Sequence, residues 1–585
     1  MRASDSSQGL AAFREVWCCD FEFHADPGER PRPLCLVARE QHTGRELRHW
    51  RDALLRQRCA PFHTGPDALF VAYFASAELG CFLELGWSLP VHVLDLYVEH
   101  RCETNGLPSP CGNGLIGALA LRGLAHIDAG EKEAMRRLIL DHTAWSDNEQ
   151  TEILQYCASD VYALAALLPR MAPSVDWPRA LLRGRFMAAV ARMERAGVPI
   201  DAALHGALVE QWIPIKRTLI EEVDASYRVY EGTTFRSTRF RSYLAAQEIP
   251  WPRLPSGAPA LDETTFRDQA LAHPEIEPLH ALRCSLADLR LSGLEIGRDG
   301  RNRCLLSPFS TITGRNAPSN TKFVFGPARW LRGLICPPEG YGLVALDWAA
   351  QEVALVAALS GDEQMIEGYA SDPYLAFAKA ARLVPKDATK QSHPTIREQC
   401  KAIVLGVGYG MEAPAMAARA GIRPCEAAEL LRLHRQTYCT FWRWSDETVS
   451  GAMLTGEMRT VFGWRRRIGR EVNVRSLMNW PAQAHGAEML RLACIAATEA
   501  GIEVVAPIHD AILIVAPLDR LEEQARHTCE IMAQASRAVT GRLTLRVDAR
   551  LVSWPDRYQD PRGADMWDRV MRLLGSVGSS GSGVG

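Results

Sequence analysis

Residues 396–411, IREQCKAIVLGVGYGM, place Arg397, Lys401, Leu405 and Tyr409 at strict four-residue intervals. That interval is close to one helical turn, so the four side chains share a face. Two cations, a leucine and a tyrosine, with no acid among them, do not make the stripe of an ordinary solvated helix. A triphosphate lying along the face accounts for them: Arg397 and Lys401 clamp phosphates while Tyr409 meets sugar and base. Working outward, two apolar strands each carry one aspartate where a core strand would not normally tolerate it: GLVALDW (342–348) with Asp347, and VVAPIHDAILIVAP (504–517) with Asp510. An ionised carboxylate in apolar surroundings costs several kcal/mol unless a cation offsets it. If the strands are neighbours the acids converge, and two Mg²⁺ ions are a natural compensation. Either aspartate alone reads more simply as a cap or turn residue.

At 585 residues the chain is too long for one core and should divide into three or four domains. A composition of 47% apolar and 23% charged residues is that of a globular protein rather than a disordered one. The formal net charge of −3 gives no global sign of a nucleic-acid partner, so a basic groove would have to be local. Of 66 basic residues only seven are lysines, which makes the position of each informative. The 16 cysteines form no CxxC pair with a matching partner and read as buried reduced thiols of a cytoplasmic protein. No signal peptide, membrane span or internal repeat is expected, and GSVGSSGSGVG (575–585) reads as a flexible tail.

The helix pattern Arg-xxx-Lys-xxx-Leu-xxx-Tyr-Gly resembles motif B, the O helix of the fingers, of the family A (DNA polymerase I-like) DNA polymerases. LDWAAQE (346–352) resembles motif A, which implies a metal aspartate at Asp347, a sugar-selecting acid at Glu352 and a metal contact from the Trp348 carbonyl. IHDA (508–511) resembles motif C, implying His509 beside the nucleotide and Asp510 as the second metal aspartate. STITGRNAPSN (310–320) would place Thr313 and Arg315 on primer-template DNA, and VRSLMNWPAQAHGAE (474–488) would place Arg475, Asn479 and Gln483 there. The resemblance implies DNA-primed, template-directed synthesis from dNTPs, with two Mg²⁺ per active site (Mn²⁺ as substitute). Lys401 would bind phosphate and protonate the leaving pyrophosphate. The chain departs from the family where Ala511 follows Asp510, a position usually acidic, and where Leu405 replaces a usual aromatic. These departures look phage-like.

EVWCCDFEFH (15–24) puts Asp20 and Glu22 on one face of a strand. ILQYCASDVYAL (153–164) puts Tyr156 and Asp160 one helical turn apart. The combination resembles the DnaQ-like 3′–5′ exonucleases, in which four carboxylates bind two metals and the tyrosine positions water. VAYFASAELGCFLELGW (71–87) offers Glu78 where the family's fourth acid is an aspartate, implying a working site of shifted geometry.

The expected architecture is α/β and α+β, multidomain: an RNase H-like exonuclease domain followed by a right-hand polymerase. Its divisions are 1–175 exonuclease, 176–300 thumb and connecting helices, 301–362 palm, 363–460 fingers, 461–572 palm and 573–585 tail. LLPRMAPSVDWP (167–178) reads as the first linker. Primer-template DNA and dNTPs are the implied partners of a monomer with no membrane contact. The competing readings are an exonuclease that has lost synthesis, and a non-catalytic nucleic-acid-binding scaffold.

Overall fold

The computed structural model describes residues 9–125, 129–288, 291–326, 328–469 and 472–580. Its contacts divide the chain into two compact units. The first comprises residues up to Gly197, Leu305–Ala317 and Gly342–Leu551. The second comprises Val198–Cys304, Pro318–Tyr341 and residues from Val552. The helix Trp177–Ala196 belongs to the first unit rather than to the segment predicted to follow residue 175.

The first unit begins with a five-stranded sheet in the order Glu46–Trp50, Arg32–Glu40, Glu15–His24, Ala68–Ala72, Val93–Asp95. The central strand pairs antiparallel with Arg32–Glu40 and parallel with Ala68–Ala72. Its run Val16–Cys19 is fully buried, as a strand covered on both faces requires. The helix Asp147–Met171 packs on this sheet and starts at a Ser146–Glu149 capping box. This helix runs through Pro169, whose missing N–H falls in its last turns. The predicted linker therefore shrinks to Val175 and Asp176 between a 3₁₀ turn and the next helix.

The same unit holds a second sheet in the order Glu503–Ile508, Ala511–Pro517, Tyr341–Trp348, Val547–Ser553. The first two strands form a hairpin whose turn is His509–Asp510, with His509 at φ 52° in the left-handed region such tight turns use. The long helix Val474–Glu499 packs on Glu503–Ile508 and on the helix Leu521–Thr540. Pro394–Gly408 buries Cys400, Ile403, Val404 and Val407 in a separate helical core, leaving the opposite face free for the spaced set.

The second unit is mainly helical, with Ala202–Glu210, Trp212–Asp224, Ser237–Ala246, Glu263–Ala272 and Glu277–Asp288. The proline-rich stretch 249–259 interrupts its helices. Residues 573–580, predicted to begin a flexible tail, continue the helix Ala564–Ser580; residues 581–585 lie outside the described residues. Among the described residues no helix is long and apolar enough to cross a membrane.

Candidate active sites

Asp347 is the penultimate residue of its strand, at the edge where the sheet opens. Its side chain is exposed, not buried as its apolar neighbours predict. Protein surrounds it closely enough that desolvation, with the Asp510 and Asp548 carboxylates nearby, pushes it up to about 6. Asp510 is half-buried and accepts a 2.7 Å hydrogen bond from the Arg315 guanidinium. With the Gln351 amide nitrogen turned towards it, Asp510 also accepts two bonds of 2.8 and 2.9 Å. The structure thus brings Asp347 and Asp510 together as expected, and corrects the picture of two uncompensated buried acids.

Arg315, expected on DNA, is held by Asp510, and its loop is fixed from below. Gly314 has φ +74°, and a Cβ there would lie 2.9 Å from the Trp464 indole nitrogen, so glycine is required. The Gly314 carbonyl accepts from buried Arg491 at 2.7 Å, and the Thr313 hydroxyl meets that of Thr311 at 3.0 Å. Trp348 is buried, its indole donating to the Met532 carbonyl at 3.1 Å.

Beside the acids, the Tyr409 hydroxyl donates to Glu352 Oε1 at 2.9 Å. The Gln483 amide donates to the same oxygen and lies 3.5 Å from the Tyr409 hydroxyl. Desolvation and the Glu352 charge raise the Tyr409 phenol to about 12, so it stays a donor. Leu405, Asn479 and Glu352 line one small cavity. Gln483, expected on DNA, is therefore also a partner of Glu352.

The cationic face of Pro394–Gly408 is not free of acids. Arg397 pairs with Asp372 from a neighbouring helix and with Glu398, each at 2.5 Å, and Lys401 lies 3.5 Å from Glu398. The Asp372 contact crosses elements, so spacing alone could not reveal it, whereas Lys401–Glu398 is an i,i+3 pair of the same helix. Arg475 pairs with exposed Glu412, and His509 is exposed at the hairpin turn.

In the amino-terminal sheet, Asp20, Glu22, Tyr156 and Asp160 line one cleft of about 450 Å³. Lys132 lines it too, its ammonium 3.0 Å from Asp160 and 5.9 Å from the Tyr156 ring centre. Glu78 is buried and outside that lining, below Asp20. Burial, then the charge of Asp20, holds Glu78 well above the usual carboxylate range. Burial and Asp160 likewise raise Asp20. Asp20 Oδ2 and Glu78 Oε2 are buried without a hydrogen-bond partner. Hard oxygens in that condition fit a divalent cation such as Mg²⁺ or Mn²⁺. Asp95, which sequence reasoning missed, shapes the site from behind. It caps the helix Leu96–Thr104 and accepts from the Phe74 and Ala75 amides at 3.0 and 2.8 Å, holding Phe74 at φ 75°. An aspartate between an apolar strand and a helix is the cap signal that could have found it.

Residues 306–554 match the model for DNA polymerase family A. The thermostable DNA polymerase I of Thermus thermophilus is 28% identical over 379 residues, 59% of this chain and 44% of that protein. The DNA polymerase I of Deinococcus radiodurans is 27% identical over 286 residues, 45% of this chain and 30% of that protein. The matches thus span less than half the length of these relatives. Among solved structures, the fold is similar to that of the POL domain of Pol1 from M. smegmatis, described as a complex with DNA primer-template and dNTP. The TM-score is 0.71 at 19% identity, covering 94% of this chain and 96% of that one.

Proposed function

Residues 306–554 of this chain belong to DNA polymerase family A, and from that premise we propose that the protein extends a DNA primer on a template using dNTPs. The observation that carries the reading is the convergence of Asp347 and Asp510 at one sheet edge beside the Tyr409–Glu352–Gln483 cluster. Mg²⁺, when bound, neutralises the triphosphate and lowers the pKa of the primer hydroxyl. Asp347, Asp510 and the Trp348 carbonyl would hold it. Glu352 and Tyr409 form the floor under the sugar and leave no room for a 2′-hydroxyl. Lys401 and Arg397 reach the phosphates once their acidic partners let go, and Lys401 then passes a proton to the pyrophosphate. Thr313, Arg315, Arg475 and Asn479 contact the DNA, with Arg315 exchanging Asp510 for the primer strand. Extension of a recessed primer tests the reading. Asp347→Asn and Asp510→Asn should each abolish it, and near-normal extension by either variant sinks the assignment.

A second activity, 3′–5′ removal of the primer terminus, is supported by the shared cleft of Asp20, Glu22, Tyr156 and Asp160 and by the orphaned oxygens of Asp20 and Glu78. Tyr156 would orient the attacking water, and burial and Asp160 keep its phenol protonated. The same primer with a mismatched 3′ end tests this: shortening in Mg²⁺ or Mn²⁺ is expected, and its absence in both ions counts against a working site.

A further inference from the structure

The residue after Asp510 is Ala511, so the turn that carries one proposed metal aspartate offers no second acid beside it. The sheet supplies one from its other side. The strand Val547–Ser553 neighbours Tyr341–Trp348. Two backbone bonds fix their pairing: the Ala349 amide donates to the Arg546 carbonyl at 3.0 Å, and the Trp554 amide donates to the Tyr341 carbonyl at 3.1 Å. The two bonds lie eight residues apart on each strand, so the antiparallel pairing runs between them without a slip. Asp347 therefore stands directly opposite Asp548. Side chains so paired lie on one face with Cβ atoms about 4.5–5.5 Å apart, and like charges there are destabilising.

Asp548 is exposed at the same open edge as Asp347. Asp510 has Arg315 and Gln351 to satisfy it. Asp347 and Asp548 have no ion pair among the described residues. A repulsive pair kept at the edge of a sheet, next to a third acid, is a set of hard oxygens waiting for a divalent cation.

We infer that Asp548 is the third carboxylate of the polymerase metal site, taking from the neighbouring strand the place that Ala511 leaves without an acid. The assignment rests on the polymerase reading. Asp548 holds the ion through its own oxygen or an ion-bound water, so it positions the metal rather than touching the nucleotide.

The test uses the full chain with Asp20→Ala and Glu22→Ala, which silence the amino-terminal cleft, and Mn²⁺ as probe, titrated by electron paramagnetic resonance. Asp548→Asn should weaken Mn²⁺ binding about tenfold, the range seen when outer partners of a metal are lost. It should raise the Mg²⁺ concentration for half-maximal extension by a similar factor. Adding Ala511→Glu to Asp548→Asn should recover much of both. Without metal, Asp548→Asn should melt no lower than its parent, because a like-charge pair has gone, while the rise in melting temperature on adding Mn²⁺ should shrink. Unchanged Mn²⁺ binding and Mg²⁺ requirement in Asp548→Asn, with Asp347→Asn losing both, overturns the assignment and leaves the polymerase reading standing. A parent that neither binds Mn²⁺ nor extends a primer overturns both.

Discussion

Glu352 receives two donors on a single oxygen, from Tyr409 and Gln483, and this fixes its carboxylate under the predicted sugar position. Truncating it should open space for a 2′-hydroxyl without touching Asp347 or Asp510. Glu352→Ala is expected to raise ribonucleotide relative to deoxyribonucleotide incorporation by about tenfold or more, in the range a single sugar group commands. Competition assays with matched ATP and dATP measure it, and an unchanged ratio removes Glu352 from sugar selection. Lys401 poses a different question. Arginine would make the better fork for phosphate, and this chain uses lysine only seven times, yet lysine stands here. An ammonium can be tuned into a proton donor, whereas a guanidinium cannot. Lys401→Arg should therefore slow single-turnover chemistry at least about tenfold while changing nucleotide affinity much less. Chemistry at the parental rate would make Lys401 a clamp alone.

At the scale of elements, the helix Pro424–Thr437 carries a pH liability. His434, in the helix Pro424–Thr437, is buried against Phe377, Tyr438 and Phe441, and its Nδ1 accepts from the Trp442 indole at 3.1 Å. Burial lowers its folded pKa to about 3, well below its ordinary 6.5. The unfolded chain thus takes up the proton first on acidification. The stability held at neutral pH is lost as pH falls from about 6.5 towards 3. Trp442 fluorescence during denaturant melts at pH 7 and pH 5 should show this destabilisation, and His434→Phe should flatten it; equal pH slopes for the two proteins would refute the cause. The helix Pro394–Gly408 was legible because a four-residue period is a property of the chain itself. Asp372, which pairs with Arg397, caps another helix and has no sequence signature. Asp347 likewise announced itself by sitting in an apolar strand, but whether a strand's end is buried depends on where the sheet stops, which periodicity does not encode.

Across the whole molecule, the order of motifs made the polymerase region legible, while its boundaries were hidden by context. Pro169 reads locally as a break, yet the helix runs through it, and the Ala165 carbonyl that its missing N–H leaves accepts from the Gln41 amide at 3.3 Å. Glu78 was found by position, but its place below the cleft follows from the Phe74 turn that Asp95 holds, an interaction across 20 residues. The two sites share no acid, so Asp20→Ala with Glu22→Ala should eliminate degradation of single-stranded DNA and leave primer extension at the parental rate. Loss of extension in that variant would mean the sites are not independent. Independence of chemistry is not independence of folding. The Asn105 amide, at the end of Leu96–Thr104, donates to the Ile312 carbonyl at 2.8 Å and to the Arg465 carbonyl at 2.7 Å. Arg101 donates to the Ser310 carbonyl at 3.1 Å, on the loop that ends in Arg315. A Cβ on Gly106 would strike the Arg467 carbonyl, so backbone meets backbone there. The amino-terminal lobe is consequently no detachable cassette: a shortened enzyme starting near residue 176 would take the Asn105 donor from the Arg465 carbonyl and the Arg101 donor from the Ser310 carbonyl. Such a truncation should lose synthesis along with editing, whereas one that keeps the lobe and mutes only its acids should not.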